Sequence, residues 1–544
     1  MIKLEKELLD RGVLTQERLD GAHALARQDG IALHEALLSG GFVAEETLLK
    51  LLAEQQGLEF VRLEDLSIPD KAVRSLSAKF AAHYSIMPVR LEGTTLTIAV
   101  SDPLDATAPG DIETNMGYHV ERVLACREDI ANALRRFYGV GADTVERILA
   151  ESPDREAAAP LEESHDLEKM AEDASIVRLV NQILQESIDD RATDIHFEAF
   201  RNGVAVRRRI DGVLYDTHVP RNIGILYPAI VSRIKLMSGL NIVERRMPQD
   251  GRARVRIGSK EYDLRISVVP AIHGEDIVVR VLPSTMLFDL GQLGFSELHL
   301  DGLKDLISRP HGIIFVTGPT GSGKSTTLYA CLSRLNCRDV KIITIEDPVE
   351  YELKGITQTQ INQKIGLSFA RALRSMLRHD PDIMMVGEVR DKETAEIAIQ
   401  TAMTGHLVLS TLHTNDAASG AVRLMDIGIE PYLITSTVLA FAAQRLVRVI
   451  CRSCRESYTH DGRTLYRGRG CKACKNSGYS GRVAICEIMH LVPEIRELIQ
   501  SRSSAKAIRG KADELGMATL AMDGEDKVLR GITTREEVQK VTSI

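Results

Sequence analysis

Residues 312–327 read GIIFVTGPTGSGKSTT, and this stretch limits the possible folds more tightly than any other in the chain. Residues 313–316 form a short apolar run suited to a buried strand, and residues 326–335 can continue as a helix. Between them, Gly318-Pro319-Thr320-Gly321-Ser322-Gly323-Lys324-Ser325 fits G-x-x-x-x-G-K-[ST] at every position. Strand, glycine loop and helix is the context this motif requires. The glycines let backbone N–H groups turn inward around phosphate oxygens, and the helix opening at Thr326 adds partial positive charge. Lys324 is placed to reach terminal phosphates and Ser325 to offer a hydroxyl to Mg²⁺. The bland alternative is a glycine turn before an ordinary helix; the complete match favours a nucleoside triphosphate site.

A chain of 544 residues is too long for one core, and about three or four domains is the soft expectation. Its 44% hydrophobic and 26% charged residues are ordinary for globular protein, and a net charge of −8 makes no global case for nucleic-acid binding. No apolar run approaches the length of a bilayer span. The N-terminus MIKLEKELLD carries acids where a secretory signal has its apolar segment, so a cytoplasmic protein is expected.

Of eight cysteines, Cys126, Cys331, Cys337 and Cys486 are scattered and read as small core residues. Cys451-x2-Cys454 and Cys471-x2-Cys474, sixteen residues apart, fall within the four-cysteine zinc spacing. Four thiolates from two tight turns can close a tetrahedral site and leave no open position for catalysis. A reducing compartment disfavours disulfides, and a redox pair needs only one C-x-x-C, so structural Zn²⁺ is the expectation.

Taken in order, residues 1–58 hold a weak repeat at a 29-residue offset: Leu8-Leu9, Gly12 and Leu19 recur as Leu37-Leu38, Gly41 and Leu48. Each glycine closes one amphipathic stretch, which predicts a small helical module. Residues 59–140 predict a small α/β domain, with strands over 87–91 and 95–100 and helices over 108–115 and 129–138. An acidic, alanine-rich linker is predicted over 141–172. Residues 173–284 predict an α+β domain dense in arginine. Arg207 and Arg209 share a strand face there, and so many arginines beside a nucleotide domain point to groups that meet phosphate charge. After the phosphate loop, a regular α/β alternation over 291–446 places acids and histidines at strand ends, where open sheets bind ligands. These are the segments ending in Glu350 and Glu388, and the strand between His406 and His413. A carboxylate there can hold Mg²⁺ or orient water, and a histidine can sense the γ-phosphate. Residues 447–490 are a basic tetracysteine element, and 491–544 a polar helical region.

These motifs together resemble the hexameric ATPases of bacterial type II secretion and type IV pilus assembly. The resemblance is carried by GPTGSGKST, the acidic box ITIEDPVE (343–350), DIMMVGEVRD (382–391) and the histidine box TGHLVLSTLHTN (404–415). DIHFE (194–198), MPQDGR (247–252), RISVVPAIHGE (265–275) and the tetracysteine element match as well. It implies a RecA-like C-terminal domain, an arginine-bearing domain before it, and ATP held between them in a homohexamer. By position it implies phosphate and Mg²⁺ binding by Lys324 and Ser325, water activation by Glu350, and an Mg²⁺-side acid in Glu388. The bare chemistry lets either glutamate be the base. Arg265 and Arg280 match arginines that reach the γ-phosphate, within or across subunits, and His406 and His413 match the histidine box. The resemblance further implies a peripheral place at the inner membrane, through platform proteins that meet the N-terminal region. Four cysteines favour secretion or pilus extension over retraction. Members whose helical repeats bind cyclic di-GMP begin them Arg-Leu-Gly; Ala32-Leu33-His34 stands there in this chain, which counts against that ligand.

The alternative is a RecA-like nucleic-acid translocase, since basic zinc elements also occur there. Against it, aromatic residues are only 4% with no Trp, leaving no stacking platform. A scaffold that binds ATP without turnover is disfavoured because both acids and both histidines are present.

Overall fold

The computed structural model describes residues 2–104, 106–151, 171–220, 222–283 and 289–542. They divide into two compact units, residues 1–257 with 263–281, and residues 258–262 with 282–544.

The first unit opens with two helix–turn–helix repeats, Ile2–Asp10 with Gln16–Asp29 and Leu33–Ser39 with Glu45–Gln56. Gly12 and Gly41 take left-handed φ values of 66° and 64°, where any side chain is strained. Their N–H groups donate to Leu9 and Leu38 carbonyls at 3.0 Å. Leu8, Leu19, Leu37 and Leu48 are all buried, so the offset seen in the sequence is a structural repeat.

Next comes a four-stranded sheet of order β1-β4-β3-β2, from β1 (Glu59–Phe60), β2 (Met87–Glu92), β3 (Thr95–Val100) and β4 (His119–Leu124). The β2–β3 hairpin turns at Gly93, in the gap between the two expected strands. Strand β4 pairs parallel to β3, and its charged residues His119, Glu121 and Arg122 hide it from a hydrophobic pattern. The expected start of the linker is corrected: Ala142–Glu151 is a helix. Its Val145 and Ile148 are buried, and its Glu146 carboxylate accepts from the N–H groups of Ala78 and Lys79 at 3.0 and 2.8 Å. That carboxylate satisfies two orphan donors at the start of the helix Ala78–Tyr84. The rest of the expected linker, residues 152–170, lies outside the described residues.

The arginine-rich part is a six-stranded sheet of order β7-β6-β5-β10-β9-β8. Its strands are β5 (Asp194–Phe200), β6 (Gly203–Ile210), β7 (Val213–Thr217), β8 (Gln249–Ile257), β9 (Lys260–Ala271) and β10 (Gly274–Pro283). The helices Ala174–Asp189 and Ile223–Met237 contribute buried faces that include Leu179, Ile183 and Ile230. A buried ion pair, Lys235 Nζ to Glu275 Oε1 at 2.5 Å, ties the second helix to β10.

The second unit is built on a seven-stranded sheet of order β13-β12-β14-β15-β11-β16-β19. The strands are β11 (Gly312–Thr317), β12 (Ile342–Glu346), β13 (Thr357–Gln360), β14 (Ile383–Val386), β15 (Leu407–Leu412), β16 (Val438–Ile450) and β19 (Tyr479–His490). All pairings are parallel except β16 with β19. Continuous apolar runs such as Ile383–Val386 fit strands covered on both faces. Phe315 on β11 stacks on Phe441 of β16 with ring centroids 5.6 Å apart. Between β16 and β19 hang the cysteine turns and the hairpin of β17 (Arg455–His460) with β18 (Arg463–Gly468).

The expected divisions at 446/447 and 490/491 therefore cut through shared structure. The thirteen-residue β16 crosses the first. Beyond the second, Ile495, Ile499, Ile508, Val528 and Val538 join the same core as Phe441. The C-terminal helices look polar in sequence because each buries only one stripe.

Candidate active site

The phosphate loop leaves β11 at its C-terminal end and enters the helix Lys324–Leu335. Gly318, Gly321 and Gly323 have φ of 150°, 79° and 89°, values that L side chains rarely adopt. Lys324 Nζ donates to the carbonyls of Gly318 and Pro319 at 2.7 and 3.0 Å. Burial pushes its pKa down to about 8; Glu388 opposes the fall and Arg445 adds to it. Ser325 lies on the first turn of the helix, at the end of β11 that faces the loop.

Four further groups converge at the same edge. Glu388 follows β14; its Oε2 lies 2.7 Å from Arg390 Nε and 3.3 Å from His413 Nε2. His413 follows β15, so the two strands deliver an acid and an imidazole side by side. Thr317 closes β11 by donating from Oγ1 to the Thr414 carbonyl at 3.0 Å, which joins the loop to the histidine segment. Glu350 is anchored through its N–H, which donates to the Tyr329 hydroxyl at 3.1 Å, and Tyr329 belongs to the phosphate-loop helix. The same hydroxyl donates to the buried Glu346 carboxylate, which also accepts from Thr344 Oγ1 at 2.5 Å and Gln358 Nε2 at 3.1 Å. Burial, reinforced by Glu346, pushes the Tyr329 hydroxyl far above its usual range. Glu346, with its oxygens committed to these donors, is a structural acid; Glu350 is half-buried beside it.

His406 is not part of this cluster. It precedes β15, its carbonyl accepts from the Gly312 N–H at 3.1 Å, and its Nδ1 lies 2.9 Å from the Thr401 carbonyl. Gly312 starts β11 and the phosphate loop ends it, so His406 sits about 20 Å away, at the other end of the parallel strands.

Arg265 and Arg280 belong to the other unit, on β9 and β10. Both line a cavity of about 350 Å³ together with Asp250, Arg252 and Ser267. Arg280 Nε is 3.0 Å from Asp194 Oδ1, with the Arg280 side chain 57% exposed. A guanidinium held at one nitrogen and otherwise open to solvent keeps donors for an incoming anion.

The sequence reading missed the residues that hold the site from outside. Gln444 and Arg445 on β16 are both buried: Gln444 bonds to the phosphate loop, and Arg445 Nη2 donates to the Asn415 carbonyl at 2.8 Å. The adjacent polar pair Gln444-Arg445 inside the run LAFAAQRLVRVI was the available signal.

The sulfur atoms of Cys451, Cys454, Cys471 and Cys474 all lie within 4.8 Å of one another. Three pairs are resolved at 3.8, 3.7 and 3.7 Å. A tetrahedron with Zn–S bonds of about 2.3 Å has S···S edges of about 3.8 Å. Backbone N–H groups of Cys471 and Gly478 donate to Cys474 Sγ at 3.2 and 3.3 Å, which stabilises a thiolate there. The donor set and its spacing fit Zn²⁺.

No helix among the described residues is long and apolar enough to cross a membrane. The family described as Type II/IV secretion system protein matches residues 169–540, and the MshEN domain matches residues 56–144. The chain is 40% identical over 557 residues to the type IV pilus assembly ATPase PilB of Myxococcus xanthus, covering 98% of each chain. It is 42% identical over 563 residues to type II secretion system protein E of Xanthomonas campestris pv. campestris, covering 99% of this chain and 98% of that one. Among solved structures, the Legionella pneumophila ATPase DotB superposes with a TM-score of 0.52 at 23% identity, over 67% of this chain and 95% of that one, a likeness of fold. With its phosphate loop, acidic strand ends and four-cysteine insertion in place, the chain belongs to the type II/IV secretion system protein family of ATPases.

Proposed function

We propose that this chain hydrolyses Mg-ATP as a homohexameric motor that powers pilus or pseudopilus assembly, and with it protein export, in a type IV pilus or type II secretion system. The observation that carries this reading is the convergence of Lys324, Glu388 and His413 at the loop-bearing edge of the sheet. In it, the backbone N–H groups of residues 320–326 cradle the phosphates and Lys324 turns from its loop carbonyls to the terminal phosphate. Ser325 and Glu388 would hold Mg²⁺, which supplies charge neutralisation when bound. Glu350 orients and deprotonates the attacking water, and His413, on Glu388, follows the terminal phosphate. Arg265 and Arg280 bring positive charge to the γ-phosphate from the other unit. Cys451, Cys454, Cys471 and Cys474 hold a structural Zn²⁺.

The N-terminal region is the platform-facing part in this reading, giving a cytoplasmic protein peripheral to the inner membrane. The MshEN match favours a cyclic di-GMP ligand there, and the absent Arg-Leu-Gly start opposes it; calorimetric titration of the whole chain with cyclic di-GMP decides between them. The translocase alternative gains no support from the named relatives.

The test is single-turnover and steady-state ATPase activity. Lys324→Ala is expected to lose most nucleotide binding. Glu350→Gln is expected to bind ATP within a few fold of the parent and to lose about 10²-fold or more in turnover. Normal turnover by Glu350→Gln would transfer the base to Glu388. No turnover by the parent chain at any concentration would sink the motor.

A further inference from the structure

We propose that Gln444 is the positioning residue that holds the phosphate loop in its anion-binding shape, setting ATP affinity without touching the substrate. It rests on the reading of residues 318–325 as the ATP site. Gln444 lies on β16, the strand hydrogen-bonded beside β11, and is 2% exposed. Its Nε2 donates to the Ser322 carbonyl at 2.9 Å, and its Oε1 accepts from Thr327 Oγ1 at 2.7 Å. One bond grips the last turn of the loop and the other the first turn of the helix, so a single amide spans Lys324 and Ser325 from behind.

The fit is close on both sides. A Cβ at Gly323 would meet Gln444 Nε2 at 2.7 Å, and a Cβ at Gly318 would meet the Gln444 carbonyl oxygen at 2.6 Å. The two glycines thus let the loop lie against β16 as well as turn. An amide offers the one donor and one acceptor that these partners need. A carboxylate would face the Ser322 carbonyl, and an apolar side chain would leave that carbonyl and the Thr327 hydroxyl buried without partners. A loop freed to recover those bonds elsewhere would no longer present its N–H groups in one direction, and ordering it again would count against binding.

The experiment uses the full chain, with Mg-ADP titration calorimetry and steady-state ATPase kinetics. Gln444→Met keeps length and volume without the amide. It is expected to raise the Kd for Mg-ADP and the KM for ATP by about tenfold, with kcat within about threefold. Thr327→Val is expected to weaken binding in the same direction, and Thr327→Ser, which keeps the hydroxyl, to stay near the parent. The double variant Gln444→Met with Thr327→Val is expected to bind no worse than the weaker single variant, because the two act as one unit. Lys324→Ala serves as the control. If it binds as the parent does, the loop reading itself fails. If it loses binding while Thr327→Val and a folded Gln444→Met bind within twofold of the parent, the inference is overturned; so too if kcat falls with KM unchanged. Should Gln444→Met give no thermal unfolding transition, the Thr327→Val and Thr327→Ser pair decides alone.

Discussion

Lys324 spends its hydrogen bonds on the Gly318 and Pro319 carbonyls, and burial has already lowered its pKa to about 8. A triphosphate brought against Nζ favours the charged form and raises that pKa. Above about pH 8, binding must therefore take up a proton, and ATP affinity is expected to fall as pH rises, by up to about tenfold per unit. Below that pH this group contributes no slope. Titrations from pH 7 to about 9.5 in buffers of differing ionisation enthalpy would read both the slope and the proton; equal affinity at both ends would contradict it. Stability without nucleotide runs the other way. The folded pKa lies below the unfolded one, so this lysine favours the folded state increasingly as pH rises from 8. The two histidines separate at the same scale. His413→Ala is expected to cut turnover by about 10²-fold with ATP still bound. His406→Ala, at the far strand end, is expected to change turnover by no more than about threefold, its loss appearing in thermal stability instead. Equal turnover defects in both variants would return His406 to the site.

At the scale of elements, β16 unites two features that the sequence reading kept apart. It carries Gln444 and Arg445 against the phosphate loop, and six residues after Arg445 it delivers Cys451. The cysteine element between β16 and β19 has little core of its own: Leu465 is its buried aliphatic residue, with the sulfur cluster beside it. Metal binding in such a ribbon supplies folding free energy. One Zn²⁺ per chain is therefore expected in freshly purified protein, and Cys454→Ser is expected to lower it and expose the β17–β18 hairpin to protease. Elemental analysis without zinc would overturn this. What the sequence made legible here follows from periodicity and spacing. The run 383–386 and the motif at 318–325 announce themselves, as do the cysteine pairs and the paired Gly12 and Gly41. β4 did not, because His119, Glu121 and Arg122 break its pattern and its place is fixed by β3. The helix Ala142–Glu151 keeps a helical spacing in Val145, Ile148 and Leu149, but its tie to the fold is through Ala78 and Lys79, far away in sequence. Tyr329, Glu346 and Gln444 were missed for the same reason. Their roles exist only once strands far apart in sequence lie side by side.

At the scale of the whole molecule, the phosphate loop and the arginine cavity belong to different compact units. Phosphoryl transfer needs positive charge at the γ-phosphate in the transition state, and an inserted arginine is worth on the order of 10³–10⁵ in rate. Lys324 already serves the bound phosphates, so the proposal gives Arg265 and Arg280 the transition-state charge, delivered when units of one chain close or when a neighbouring subunit presents them. Asp194 holds Arg280 at Nε only, and exchanging that partly exposed contact for a phosphate costs little. Arg265→Ala and Arg280→Ala are accordingly expected to keep ATP affinity within a few fold while losing most of the rate, and the parent's specific activity is expected to rise with protein concentration. Mixing separates the two routes. An Arg280→Ala subunit retains its own Glu350, and a Glu350→Gln subunit retains its own arginines. If the arginine acts across an interface, a mixed ring contains sites with a parental Glu350 facing a parental Arg280, and activity is expected to exceed the sum of the two pure variants, peaking near equal proportions. Additive activity at every ratio, in rings shown by size to have mixed, would place the arginine and the loop it serves in the same chain.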